Sequence, residues 1–244
     1  MTAQRSNIVN GRTVGWLGFY AVVLLAWWLV FLGARGLLPL PSGGFRTLYL
    51  MWLIMIAAMI LPTMIPTLRS YHALPGRSGA GTFGWLGLVL GYSAVWLVGA
   101  GGFAAVQVAV QKFGLVASGL GDGAPWFAAS LLALAGGWQF SRPKAACQNA
   151  CQSPMVYFLG RWRAGALGGA RMGIELGLIC VGCCWAIMAL GFVGGIMNLW
   201  WMGLATLFMV VEKLPAAGRH IRRPAGGILI VAALLVILNA LSQS

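Results

Sequence analysis

The chain has 244 residues, of which 60% are hydrophobic and only 8% charged, with a mean hydropathy of +0.88. Soluble domains carry about 25% charged residues, and no polar stretch is long enough to build one, so an ordinary soluble enzyme or binding module is excluded. The net charge of +13 comes from 16 basic residues against Asp122, Glu175 and Glu212. The basic residues sit in short clusters between apolar runs. That pattern is the positive-inside signature of a membrane protein, and it argues against nucleic acid as a partner.

A membrane-spanning helix needs about 20 mainly apolar residues. In chain order the candidate spans are 14–34, 47–68, 83–106, 125–140, 172–193, 196–214 and 226–241. The first follows Arg5 and Arg12, lacks a small-residue cleavage site after it and contains Trp27 and Trp28, so it reads as a retained helix and not a cleaved signal. Links rich in Gly and Pro fall at 39–44, 75–81 and 119–125. The predicted fold is all-α: a polytopic transmembrane bundle of about seven spans, forming a single integral membrane domain over 1–244.

Seven spans place thirteen of the sixteen basic residues on the side of the amino terminus and leave Arg35, Arg46 and Lys112 on the other. This asymmetry predicts a cytoplasmic amino terminus, an outward carboxy terminus and a multi-pass protein of the bacterial inner membrane, with the lipid bilayer as its first partner. Trp16, Trp126 and Trp138 lie at span ends, where indoles seek the interface. The glycines, including those at 165–169 and 191–195, read as close helix–helix contacts.

Five cysteines fall in two groups. Cys147 and Cys151 lie four apart in the basic segment after the fourth span, and Cys180, Cys183 and Cys184 lie about halfway into the fifth. Residues three or four apart share a helix face, so each group can present sulfurs to one point. Thiolates from two neighbouring helices make a soft-metal site suited to Cu(I) first and Zn(II) second. Their odd number, and the cytoplasmic side predicted for the first group, argue against a disulfide framework. The alternative is packing, since cysteine is a small, weakly polar residue in apolar surroundings.

Further candidate ligands are Met55, Met59 and Met188. Met51, Met55 and Met59 repeat at helical spacing on the second span, and Met188 continues the Cys180–Cys184 stripe by one turn. Thioethers favour Cu(I), although methionine stripes also serve as adaptable packing. Glu175 and Glu212 are the remaining candidates, being acids within or at the ends of spans. Such residues mark functional sites when they face the bundle interior, and the competing expectation pairs them at the surface with Arg171 or Lys213. Asn198, Met202, Met209 and Glu212 fall on one face of the sixth span. Pro62 and Pro66 break the second span and free carbonyls that neighbours must satisfy.

Absences narrow the field. His72 and His220, the only histidines, are expected in links, so no intramembrane pair exists for a bis-His haem. The last span has no lysine for a retinal Schiff base, and no P-loop or nucleotide fingerprint occurs.

Three blocks carry a family resemblance: MWLIMIAAMILPTMIPT from Met51, KAACQNACQSP from Lys144, and GIELGLICVGCCWAIMALGFVGGIMNLWWM from Gly173, running on to Glu212 and Lys213. In these the chain resembles an uncharacterised bacterial family of predicted metal-binding integral membrane proteins. The resemblance implies that Cys147, Cys151, Cys180, Cys183 and Cys184 are the family's motif cysteines. The leading expectation is a membrane protein that transports, stores or delivers a soft metal ion, the last to a membrane metalloenzyme. One rival is a membrane thiol–disulfide oxidoreductase using the CxxC of Cys180 and Cys183. The other is a non-catalytic scaffold subunit whose partners are further membrane helices, in other proteins or in a second copy of the chain.

Overall fold

A computed structural model describes residues 2–38, 44–74, 81–113 and 124–243. Most of the three Gly- and Pro-rich links, with Arg77 and Asp122, lie outside the described residues. Among these residues every regular element is a helix. Helix α1 is Thr2–Ala34 and α2 is Phe45–Ile60, followed by a 3-10 turn over Pro62–Met64 and α3 at Ile65–His72. Next come α4 (Thr82–Lys112), α5 (Ala124–Phe140), α6 (Arg142–Gln152), α7 (Pro154–Arg161) and α8 (Gly165–Ala189). The chain closes with the single turn α9 (Gly191–Gly194), α10 (Leu199–Glu212) and α11 (Gly218–Gln243).

Five stretches are long and apolar enough to cross a membrane: Thr13–Ala34, Phe45–His72, Thr82–Lys112, Gly165–Gly194 and Gly218–Ser242. The other two expected spans are shorter helices, α5 with 17 residues and α10 with 14. Several boundaries depart from the sequence expectation. Helix α8 begins at Gly165 instead of 172 and α11 at Gly218 instead of 226, because helical hydrogen bonding continues into polar turns where hydropathy has already fallen. The sixth span, α10, begins later than 196, at Leu199, because the Asn198 side chain accepts from the Trp200 and Trp201 amides and caps it. His72 and His220, expected in links, both lie in helices, at the end of α3 and in the first turn of α11.

The anticipated break in the second span is present. Pro62 and Pro66 cannot donate to the preceding turn, and the chain answers with the 3-10 turn. There the Met64 amide donates to the Leu61 carbonyl and the Thr63 hydroxyl to that of Ile60 at 2.7 Å.

The most extensive helix pairing joins α4 and α8, which run parallel. Gly84, Gly87 and Gly91 face Gly169, Gly173, Ala166 and Ala170. A Cβ built on Gly87 would fall on the Ala166 carbonyl, and one on Gly173 would meet the backbone of Leu88 and Tyr92. Small residues let the two backbones touch. A second glycine contact, Gly136 with Gly226, joins α5 to α11. Both contacts follow the small-residue logic expected of the glycines, with Gly169 at the first of them, and Gly194 packs closely on Trp201 of α10.

Gly87→Ala and Gly173→Ala must therefore force α4 and α8 apart, at a cost of about 1–3 kcal/mol each. The expected outcome is a melting temperature in detergent lowered by several degrees. Gly102→Ala, on an open face of α4, is expected to leave it unchanged.

Candidate metal centre

The buried face of α8 carries Cys180, Cys183 and Cys184, each at most 3% exposed, with their sulfurs all within 4.8 Å of one another. The Sγ of Cys183 lies 3.3 Å from that of Cys184, and Cys180 lies 3.8 Å from Cys184. Helical spacing produces this convergence, since residues i, i+3 and i+4 share one side.

A fourth sulfur comes from α6. Ser141 caps that helix by accepting from the Lys144 amide, and Pro143 fits its first turn, where no amide donor is needed. Pro154 cannot continue α6 and opens α7. Helix α6 packs on α8 and brings the Cys151 Sγ within 4.0 Å of that of Cys183. Cys147, one turn earlier, rests against Gly182 instead, off the face that carries the three buried thiols. The two cysteine groups are thus neighbours, but only Cys151 of the first reaches the second. All five are free thiols.

A metal–sulfur bond of about 2.3 Å puts sulfurs of a trigonal or tetrahedral shell about 4 Å apart. The observed separations of 3.3–4.0 Å are of that size, so the donor set fits a soft ion.

Around the sulfurs lies a polar shell that apolar surroundings would make costly unless paired. The Tyr92 hydroxyl donates to Cys180 Sγ at 3.0 Å. The Lys213 ammonium donates to the same sulfur at 3.1 Å and to the Thr63 hydroxyl at 2.7 Å. Lys144, fully buried, donates to the Cys183 carbonyl and pairs with Glu212 Oε2 at 2.8 Å. The Gln148 amide group donates to the carbonyls of Glu212 and Gly218, and that of Gln152 to the Glu212 carbonyl.

The acids depart from their expected surface partners. Glu212 is buried and takes Lys144 in place of Lys213, since the chain turn after α10 sends Lys213 to the thiols. Glu175 sits on the rim with Arg161 at 3.2 Å and Arg163 at 3.5 Å instead of Arg171. It also accepts from the Tyr157 hydroxyl at 2.7 Å, and burial beside this carboxylate raises Tyr157 well above the usual phenol range. Glu175 lies two turns from Cys183 along α8 and takes no part in the thiol cluster. Met202, Met209 and Glu212 do share a buried face of α10, whereas Asn198 caps its start. Met55, Met59 and Met188 are buried and line a small cavity one turn beyond Cys184.

The sequence reading missed Lys144, which it counted among link charges, along with Thr63, Tyr92, Gln148 and Gln152. A signal existed: Lys144, Gln148 and Gln152 repeat at i, i+4 and i+8, an unbroken polar stripe on one face of α6.

Removing one partner of a buried ion pair costs about 3–5 kcal/mol because the other charge is left unpaired. Lys144→Met is therefore expected to lower the melting temperature sharply. The double variant Lys144→Met/Glu212→Leu should recover part of the loss, as thermal unfolding in detergent will read.

Among known proteins, a family model described as a copper chaperone, PpoB2, matches residues 49–236. No curated protein and no solved structure matches the chain.

Proposed function

Because the chain belongs to the PpoB2 copper chaperone family, we propose that it is a membrane protein carrying Cu(I) as cargo, bound by Cys180, Cys183 and Cys184 of α8 together with Cys151 of α6. The observation that carries this reading is the convergence of three buried thiols of α8 within 4.8 Å of one another, with Cys151 of α6 4.0 Å from Cys183. Thiolates are soft ligands that favour Cu(I) over harder ions. The Lys213 ammonium beside Cys180 offsets negative charge that a thiolate shell gathers in a low-dielectric interior.

The setting belongs to the same proposal. The five long apolar helices, with α5 and α10 as two shorter spans, form a multi-pass bundle in the bacterial inner membrane. Its amino terminus is cytoplasmic by the basic-residue asymmetry. The thiol cluster then lies toward the reducing side, where thiols persist. The role is delivery: the ion is held by exchangeable side chains and passed to a copper-requiring protein at the membrane.

Elemental analysis of the chain purified in mild detergent under reducing conditions tests this. The expected result is about one copper per chain in the wild type, reduced to background in Cys183→Ser and largely retained in Cys147→Ser, whose sulfur stands against Gly182. Zinc in place of copper would move the reading to the harder ion. No metal, with a Cys180–Cys183 disulfide trapped by rapid alkylation, would replace it with the redox reading. No metal, no disulfide and no effect of either substitution would leave the cysteines a packing role in a scaffold.

A further inference from the structure

Four methionines from three helices meet outside the thiol cluster. Met55 and Met59 lie one turn apart on α2, Met188 follows Cys184 by one turn on α8, and Met202 enters from α10. With Trp52, Ile187, Gly191 and Trp201 they line one small cavity. Each of the four is at most 3% exposed. Methionine serves in cores because it bends to fill irregular gaps, yet here four of them surround a space left open. No carboxylate, imidazole or cationic side chain is among its lining residues.

The walls are held in place. Trp52 donates its indole N–H to Gln107 Oε1 at 2.7 Å and stacks on Phe103 at 4.6 Å between ring centroids. The ring therefore keeps its face fixed. Thioethers are neutral soft donors that favour Cu(I) over harder cations, and indole faces attract a cation at short range. Along α8 the order is Glu175 with its arginines, then the thiols, then Met188, with Gly191 opening α9. At a rise of about 1.5 Å per residue, Met188 lies only about 6 Å beyond Cys184.

We propose that this cavity is a second Cu(I) site, built from the thioethers of Met55, Met59, Met188 and Met202, that receives the ion from the thiol cluster. The inference rests on the copper reading above and adds a station to it. The ion keeps its oxidation state and exchanges thiolate for thioether ligands. In the proposed topology the methionine chamber lies on the outward side of the thiols. That placement suits the donors, because a thioether cannot form the disulfide that would disable a cysteine there.

Silver(I), a monovalent soft ion that does not redox-cycle, is the probe, bound to the full chain in detergent and counted by equilibrium dialysis with elemental analysis. A variant with all five cysteines changed to Ser is expected to retain one Ag(I). Adding Met55→Leu, Met188→Leu and Met202→Leu, which nearly preserve volume, should weaken that binding at least tenfold. X-ray absorption of the five-Ser chain should show a sulfur shell. Silver bound by the wild type and not by the five-Ser chain would overturn the methionine site and leave the thiol reading standing. No silver on either would overturn both. Should the five-Ser chain fail to fold, the three Leu substitutions in the wild type decide: one ion fewer supports the site, and an unchanged count overturns it.

Discussion

The buried ammonium of Lys144 is the contact on which the assembly of the thiol cluster depends. A lone charge in an apolar interior is prohibitively costly, so α6 can dock on α8 only if Glu212 arrives at the end of α10 to meet it. The same nitrogen donates to the Cys183 carbonyl, which ties the ion pair to the turn of α8 that carries the sulfurs. Cys151 lies two turns after Lys144 on the same side of α6. Fixing the lysine therefore fixes the register that brings Cys151 to Cys183. The glutamines on the stripe extend the tie to the chain turn between α10 and α11.

The opposite side of α8 is held by a different kind of contact. Its glycines let the α4 backbone approach so closely that neither helix can slide without collision. Sliding matters because Tyr92 stands beside Gly173 and Gly177 and reaches Cys180 with its hydroxyl. One helix thus receives a donor from a backbone-tight neighbour on one side and a thiol from an ion-pair-anchored neighbour on the other. The sulfurs occupy the seam between a rigid contact and an electrostatic one.

The helical class, most of the apolar segments and the break at Pro62 were legible because each depends on local composition or on a single residue's missing amide. The two cysteine groups were legible for a similar reason: i, i+3 and i+4 spacing is a property of one helix. What escaped was set by tertiary contact. The polar stripe of Lys144, Gln148 and Gln152 sets Lys144 apart from Arg142 in the sequence, but only the arrival of Glu212 makes it an interior residue. Cys147 and Cys151 look equivalent in sequence, yet the crossing of α6 over Gly182 parts them. Helix ends shifted because hydropathy marks where apolar side chains stop, while backbone hydrogen bonding carries on through polar turns such as the one opening α11.

Thr63 gives the proline break a meaning beyond bundle shape. Its hydroxyl donates to the Ile60 carbonyl, healing the ladder that the prolines interrupt, and accepts from Lys213, which also donates to Cys180. One oxygen atom therefore serves both the bend of the second helix and the placement of positive charge at the sulfurs. Bend and charge become a single mechanical coordinate: straightening the helix would withdraw the hydroxyl, and the ammonium would lose its anchor. In the proposed copper carrier, that linkage would let helix motion alter the electrostatics around the sulfurs.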